Sequence, residues 1–217
     1  MAKAGAPSKA VANGTGRSAV TRRQLVDAAI ATLQLEGYTG TSARSIARRA
    51  GLNQGLIFYH FGSVANLLLA ALDSVSQERL QRYEAEVSGV TNPSRLVDAA
   101  EEIFRNDLKA GYVTVLVEMI AGASSTPGLG PEVSARIQPW RGFAQSAIEA
   151  AVGDSPLGSV LPAKDVAHAV VALYLGLELL SHLDGDPGPA LALFARAKGL
   201  AELLEALTTP STPKEAP

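Results

Sequence analysis

The sequence contains no cysteine among its 217 residues, which excludes disulfide bridges and thiolate metal sites. Aromatic residues make up only 5%, and the prevalence of Ala and Leu favours helices over strands. No apolar run approaches the ~20 residues that a membrane span needs. No apolar stretch follows Lys3 and Lys9, so a secretory signal is not indicated. We expect an all-α protein of the cytoplasm with no membrane partner.

The residues of an enzyme site are also scarce. Catalysis needs a nucleophile with a positioned base, or a pair of carboxylates, and neither arrangement is visible. Of the three histidines, His168 and His182 lie fourteen positions apart on one predicted helix, too far to share a metal ion. The sequence therefore predicts no enzyme, no metal site and no cofactor.

Charge is distributed unevenly along the chain. Residues 1–60 carry eight basic and two acidic residues, a net charge of +6, whereas the remainder carries a net charge of −8. A basic end on an acidic body suggests a local contact with a polyanion such as nucleic acid. An ordinary solvated surface with a loose basic tail would give the same balance.

Composition and periodicity divide the chain into four segments. Residues 1–20 read as a flexible basic arm and residues 208–217 as a disordered tail. Residues 21–67 predict three short helices, and residues 68–207 predict a larger helical domain, about nine helices in all.

Three positions in the second and third helices fit a helix-turn-helix. Ala47 is small where two helices cross, Gly51 can adopt the positive φ of the turn, and Ile57 fills the core of the three helices. Thr41 or Ser42 caps the second helix. The spacing is moderately specific, since many helical hairpins that bind nothing share it.

The short third helix carries polar groups suited to DNA. Asn53, Gln54, Tyr59 and His60 can reach base edges and phosphates, and Gly55 allows the backbone to approach a duplex closely. Alternatively, Tyr59 and His60 cap an interface between domains.

Residues Thr21 to Leu67 resemble the DNA-binding domain of the TetR family of regulators. The resemblance lies in Ala28-Ala29, Leu33, Gly37, Thr41, Ile46-Ala47, Ala50-Gly51, the run Gly55-Leu56-Ile57-Phe58-Tyr59-His60-Phe61, Ser63 and Leu67. The Phe-Tyr-His-Phe run is its most specific part.

The resemblance implies a role for each matching residue. Arg44 would reach a base edge or phosphate, and the N-terminus of the fourth helix, at Ser63, would face the DNA backbone. The predicted DNA-binding set is Arg22, Arg23, Ser42, Arg44, Asn53, Gln54, Gly55, Phe58, Tyr59, His60 and Ser63.

Two positions depart from the family pattern. Phe58 stands where the family usually has Tyr, so this edge either meets a thymine methyl group or packs inward. Val64 stands where the family usually has Lys, which removes one phosphate contact. Arg17, Arg22 and Arg23 could compensate on phosphates or in a minor groove.

The two last helices predict the self-association of the chain. Ala163–His182 and Ala190–Leu207 are apolar on two sides, which suits a subunit core and a second subunit. The resemblance likewise implies a homodimer through these helices. Both helices could instead be plain core.

The resemblance also implies an effector pocket among the middle helices. Its bulky candidates are Phe104, Tyr112, Met119, Trp140 and Phe143, and Trp140 beside Pro139 is the best single candidate. Glu118, in an apolar helix, would attract a cationic ligand or, more in keeping with a buried carboxylate, pair with Arg141.

These features together predict a transcriptional regulator. The expected activity is repression at a palindromic operator that an apolar small molecule relieves, with an activator or a ligand-independent DNA-binding protein of the same fold as alternatives. A sequence-indifferent architectural protein would explain the basic arm but not the large apolar body.

Overall fold

The computed structural model describes residues 9–152 and 162–208, and within them the chain is entirely helical, with nine α-helices and no strand. This confirms the predicted fold class. The helices are α1 (Lys9–Gly40), α2 (Ala43–Ala50), α3 (Gly55–Phe61), α4 (Val64–Glu86), α5 (Pro93–Ala110), α6 (Tyr112–Ala123), α7 (Leu129–Val152), α8 (Ala163–Asp184) and α9 (Gly188–Thr208).

The chain forms two compact units. In the described residues, the first unit comprises 9–75 and 114–133, and the second comprises 76–113, 134–152 and 162–208. This division differs from the boundary expected at residue 67. The reason is that most of α6 packs with α1: the ring of Tyr38 lies directly against Gly122, and the Tyr38 hydroxyl is 2.8 Å from Thr126 Oγ1.

The first helix begins earlier in the chain than the sequence predicts. α1 begins at Lys9, whereas the sequence predicted a flexible arm to residue 20. Residues 1–8 and, apart from Thr208, the predicted tail 208–217 lie outside the described residues. Most of the loop predicted between α7 and α8 lies outside them as well.

The first four helices supply most of the apolar core of the first unit, as the sequence periodicity predicts. Ile46 and Ala47 of α2 and Ile57 of α3 are buried. These helices also bury Leu25, Val26, Ala28, Ala29, Leu33, Phe61, Leu67, Leu68, Leu69, Ala71, Leu72 and Val75, and the later segment of the unit adds Val115, Leu116, Met119, Leu129 and Val133.

Two helices differ from their sequence-based description. α7 includes Pro139 within a continuous helix, although a proline inside a helix usually interrupts or kinks it. α8 has the length and mean hydropathy (1.6) of a membrane-spanning helix, although only 22% of its apolar window is buried. This corrects the expectation that no apolar run is long enough, but Glu178 within α8 is bound to Arg79 of α4, as in a helix packed inside a folded domain.

Candidate functional sites

The helix-turn-helix is fixed by local hydrogen bonds. Ser42 caps α2, accepting from the Ser45 N–H while Ser45 Oγ accepts from the Ser42 N–H, a reciprocal capping box. Gly51 ends α2 in the left-handed conformation (φ 66°), and the Leu52 N–H donates to the Ala47 carbonyl at 3.0 Å. These contacts set the turn that presents α3, and they confirm Ser42, rather than Thr41, as the cap.

One side of α3 is exposed and the other is core. Ile57 is fully buried, whereas Phe58 and Tyr59 are 51% and 80% exposed. Asn53, Gln54 and Gly55 are exposed as well. Two neighbouring aromatic side chains left in solvent are unusual unless they meet a partner. Phe58 therefore does not pack inward, and its contact with a thymine methyl group stays a prediction.

Asn53 also has a structural role. Its side-chain oxygen accepts a hydrogen bond from the Gly55 N–H at 2.8 Å and so organises the turn that leads into α3. The amide nitrogen remains available for a base or phosphate.

Of the three arginines of α2, Arg44 is the one whose charge is uncompensated within the described residues. It is exposed on α2, and no carboxylate of the described chain lies within salt-bridge distance. Arg49 binds Glu36 at 2.6 Å, and Arg48 lies 3.8 Å from the same carboxylate. Arg23 pairs with Asp27 at 2.9 Å.

Arg22 supports the end of α3. Its Nη1 donates to the main-chain oxygen of His60 at 2.8 Å, and its guanidinium lies 4.4 Å from the centre of the Phe61 ring. The His60 ring is half-buried and meets Tyr59 edge-on. Ser63 Oγ accepts from the Asn66 N–H at 3.1 Å and begins α4.

The second unit contains an apolar cavity of about 110 Å³. Trp140 and Phe143, two of the predicted effector residues, lie in its wall. The wall is completed by Tyr83, Val87, Leu96, Ala100, Ile103, Ala144, Ala147, Ile148, Val170, Val171, Tyr174 and Leu175.

A larger groove of about 510 Å³ adjoins the cavity. The two share Val87, Leu96, Phe143 and Ala147. Glu84 is the charged residue that lines the groove, with Thr91 and Ser146 as its polar neighbours. An amphipathic molecule could therefore place an apolar part in the cavity and a polar part in the groove.

The other predicted effector residues do not line the cavity. Phe104 is fully buried between Tyr174 and Phe194, and the Tyr112 hydroxyl binds Arg82 and Glu78. Met119 is buried in the first unit.

Glu118, also in the first unit, does not pair with Arg141, and that expectation was wrong. Its Oε2 accepts a hydrogen bond from the Tyr38 N–H at 2.6 Å. The backbone there is distorted by Gly37 (φ 68°, ψ 178°), so the carboxylate satisfies an N–H that the helix break would otherwise leave free.

Sequence reasoning missed a buried ionic cluster behind the cavity wall. Arg79, 1% exposed, donates from Nη2 to Asp107 Oδ2 at 2.5 Å and to Glu178 Oε1 at 2.9 Å. The hydroxyls of Tyr83 and Tyr174 also donate to Asp107 Oδ2. We call these five residues the Arg79 cluster. The apolar setting of Glu178 in the sequence was the available signal, but it did not identify the partners.

The Arg79 cluster holds more acidic groups than its one cation can satisfy. Asp107 Oδ1 and Glu178 Oε2 are buried without a hydrogen-bond partner among the described residues. Burial raises the pKa of Glu178 to about 7, against the lowering effect of Arg79. Burial disfavours the charge of Arg79, but the two carboxylates outweigh it and raise the pKa of Arg79 above its ordinary value.

The last two helices expose apolar side chains. On α8 these are Leu173, Leu180 and Leu183, and on α9 they are Leu193, Leu200, Leu203 and Leu207. The α9 side chains recur at intervals of seven, three and four, which places them along one stripe of the helix. Val170 of α8 is 43% exposed and also lines the cavity.

Metal binding is not suggested by the described side chains. Within residues 9–152 and 162–208, no group of three or more His, Asp or Glu is arranged to hold an ion.

The first unit, a helix-turn-helix with an exposed α3, defines a DNA-binding protein, and comparison with known proteins identifies its family. Residues 25–71 match the family described as bacterial regulatory proteins, tetR family. The chain is 27% identical over 179 residues to the HTH-type transcriptional regulator BetI of Cronobacter sakazakii, covering 79% of this chain and 84% of that protein.

Solved structures share the whole fold. A transcriptional regulator from Pseudomonas aeruginosa PAO1 superposes with a TM-score of 0.67 at 20% identity, covering 83% of this chain and 90% of that one. FadR from Bacillus subtilis, in complex with stearoyl-CoA, gives 0.66 at 14% identity, covering 82% and 96%. Residues 25–71 therefore form a DNA-binding domain of the TetR type, and the chain as a whole is similar to TetR-family transcriptional regulators, which supports a DNA-binding transcriptional regulator.

Proposed function

We propose that this regulator is a cytoplasmic, homodimeric repressor that binds a palindromic operator and is released by a small molecule bound in the second unit. Bacterial operator DNA lies in the cytoplasm, which is where such a protein would act. A dimer would place two α3 helices in successive major grooves, roughly 34–36 Å apart, so that the operator repeats the symmetry of the protein.

The proposed DNA contact rests on the exposed side of α3 and on the neighbouring Arg44, whose charge is unpaired within the described residues. Tyr59 can contact phosphate, Asn53 and Gln54 can read base edges, and Phe58 can meet a thymine methyl group. Arg44 adds a charge that no carboxylate in the described chain neutralises. The family relationship makes this surface the first choice for operator contacts.

The test is operator binding by variants that leave the core intact. Operator fragments can be selected from the genomic DNA around the gene and measured by fluorescence anisotropy. We expect Arg44→Ala and Tyr59→Ala to weaken binding about 5- to 150-fold, because each lost contact is worth about 1–3 kcal/mol. Arg105→Ala is the control, because it removes an exposed charge in the second unit. Wild-type affinity in both Arg44→Ala and Tyr59→Ala would contradict the proposed DNA-binding surface.

The proposed dimer rests on the exposed leucines of α8 and α9. An uncovered apolar stripe of this length favours a protein partner, and a second copy of the chain would cover it with an identical stripe. Sedimentation of Leu200→Glu and Leu203→Glu variants should reveal monomers at micromolar concentration. Leu35→Glu is the control, because Leu35 is an equally exposed leucine of the first unit.

The effector site is proposed to be the cavity and its adjoining groove. Its wall is apolar and aromatic, as small-molecule sites commonly are. The FadR structure contains stearoyl-CoA, so this fold can bind a molecule with an apolar part. Release of DNA requires that the effector favour the conformation that does not bind the operator. Trp140→Ala should leave operator affinity unchanged and abolish the response to the effector.

A further inference from the structure

We infer that the effector is a hydrophobic cation, whose compact apolar part occupies the cavity and whose positive group faces Glu84 in the groove. This inference rests on the proposed function of the cavity as the effector site. The inference extends that proposal by specifying that the effector is positively charged.

The cavity can hold only the apolar part of such a molecule. Its side chains are aliphatic and aromatic, and none is charged. A cavity of about 150 Å³ lined by apolar side chains takes up benzene, so about 110 Å³ suits one small ring or a short alkyl chain. The polar part of a ligand must then extend into the groove that shares Phe143 and Val87 with the cavity.

The charge lining the groove is negative. Glu84 is exposed on α4, and neither Lys nor Arg lines the groove or the cavity. A carboxylate or phosphate placed there would find no cation to compensate it, whereas an ammonium group would meet a carboxylate.

The far wall of the cavity is backed by the Arg79 cluster. Tyr83, Trp140 and Tyr174 belong to the wall and also contact this cluster. Two carboxylates share one guanidinium there, and each retains a buried oxygen without a partner among the described residues. Near neutral pH the net charge of the Arg79 cluster therefore lies between 0 and −1. This charge favours a cationic ligand beside the cluster and disfavours an anionic one.

The aromatic rings of the wall are a third feature that favours a positively charged ligand. The faces of Trp, Tyr and Phe attract cations, and Tyr83, Trp140, Phe143 and Tyr174 all border the cavity. Trp140 already stabilises one cation, since the Arg79 guanidinium lies 4.2 Å from the centre of a Trp140 ring.

Three probes that share a benzyl group but differ in charge test the inference on the full-length protein. Calorimetry should show benzyltrimethylammonium binding at least about tenfold more tightly than benzyl alcohol, and phenylacetate binding most weakly. Trp140→Ala should weaken all three probes, because it removes the wall that they share.

The substitution Glu84→Gln tests the contribution of the carboxylate that lines the groove. It should weaken the cationic probe about two- to fivefold, as expected for an exposed ion pair, and leave benzyl alcohol unaffected. Glu86→Gln is the matched control, because Glu86 is exposed on the same helix and does not line the groove.

The ionisation of Glu178 supplies a second readout. Glu178 faces Arg79 and Tyr83 of α4, Asp107 of α5 and Tyr174 of its own helix. A positive group bound in the adjoining groove favours the ionised carboxylate, so affinity for the cationic probe should rise as the pH increases through about 7. Affinity for benzyl alcohol should stay constant, and Glu178→Gln should flatten the profile of the cation.

The outcomes separate the two proposals. If benzyl alcohol or phenylacetate binds as tightly as the cation, or if Glu84→Gln leaves cation affinity unchanged, the inferred charge is wrong and the cavity remains an effector site. If none of the three probes binds at millimolar concentration, the cavity is not an effector site and both proposals fail.

Discussion

Arg22 of α1 holds the last turn of α3 through the main-chain oxygen of His60, 2.8 Å from Arg22 Nη1. Its guanidinium also covers the ring of Phe61 at 4.4 Å. The sequence suggested that Arg22 reaches the DNA. The structure gives its guanidinium two partners within the protein, so its first effect on DNA binding should come from positioning α3.

Arg22→Ala should therefore reduce both stability and operator affinity. Loss of the charge-assisted hydrogen bond and the ring contact should lower the free energy of unfolding by about 1–2 kcal/mol, as urea denaturation would measure. Arg22→Lys separates the two roles, because it keeps the charge but cannot reproduce the planar contact. Full operator affinity in Arg22→Lys would favour a phosphate contact over positioning.

Arg79→Met should be among the most destabilising single substitutions of the second unit. It leaves Asp107 and Glu178 buried without their cation, which should lower the free energy of unfolding by about 3–5 kcal/mol. Arg82→Met, which removes a more exposed guanidinium from the same helix, should change stability by less than about 1 kcal/mol.

The triple variant Arg79→Met, Asp107→Asn, Glu178→Gln should recover part of that loss, because it removes the unpaired charges together with their partner. Equal stability of Arg79→Met and the wild type would mean that the cluster is unimportant for folding.

Glu178 should make the folded state less stable as the pH rises. Its pKa in the folded protein is raised from an ordinary value near 4.5 to about 7, so the folded state binds more protons than the unfolded state between these pH values. The contribution of Glu178 to stability is therefore complete below pH 4.5 and is lost as the pH rises through 7.

The measurement is a difference between two proteins. Chemical denaturation from pH 5 to pH 8 should show the wild type losing on the order of 2 kcal/mol relative to Glu178→Gln, since other carboxylates titrate equally in both. A constant difference across this range would contradict the raised pKa.

Gly122→Ala should destabilise the first unit. A methyl group at Gly122 would overlap the ring of Tyr38, which is also held by its hydroxyl contact to Thr126 and its N–H bond to Glu118. Overpacking of this kind reduces stability by about 1–3 kcal/mol. Gly130→Ala, a helical position where an added Cβ meets nothing within 4 Å, should be neutral or stabilising in the same thermal melts.

The parts of the fold that the sequence predicted are those determined locally. The start of α2 at Thr41 or Ser42, the Gly51 turn and the burial of Ile57 depend on neighbours within a few positions. Local chemistry and helical periodicity therefore identify them without a structure.

Long-range pairing was not predictable in the same way. Arg79 and Glu178 are 99 positions apart, and Tyr38 and Glu118 are 80 apart. The sequence indicates that an acidic residue in an apolar helix needs a partner, but it does not say which one. For the same reason, the sequence could not separate Phe104 from Trp140 and Phe143 as pocket candidates. The structure places Trp140 and Phe143 in the cavity wall and Phe104 in the core.

One surface of α8 contributes both to the cavity wall and to the exposed apolar side chains. Val170 forms part of the cavity wall and also stands in solvent beside the exposed leucines. In the homodimer proposed above, directed evolution that reshapes the proposed effector cavity by changing Val170 would alter the strength of self-association at the same time. Sensor engineering on this scaffold should begin on α7, at Phe143 or Ala147, where ligand preference can be tuned without touching the leucine stripe.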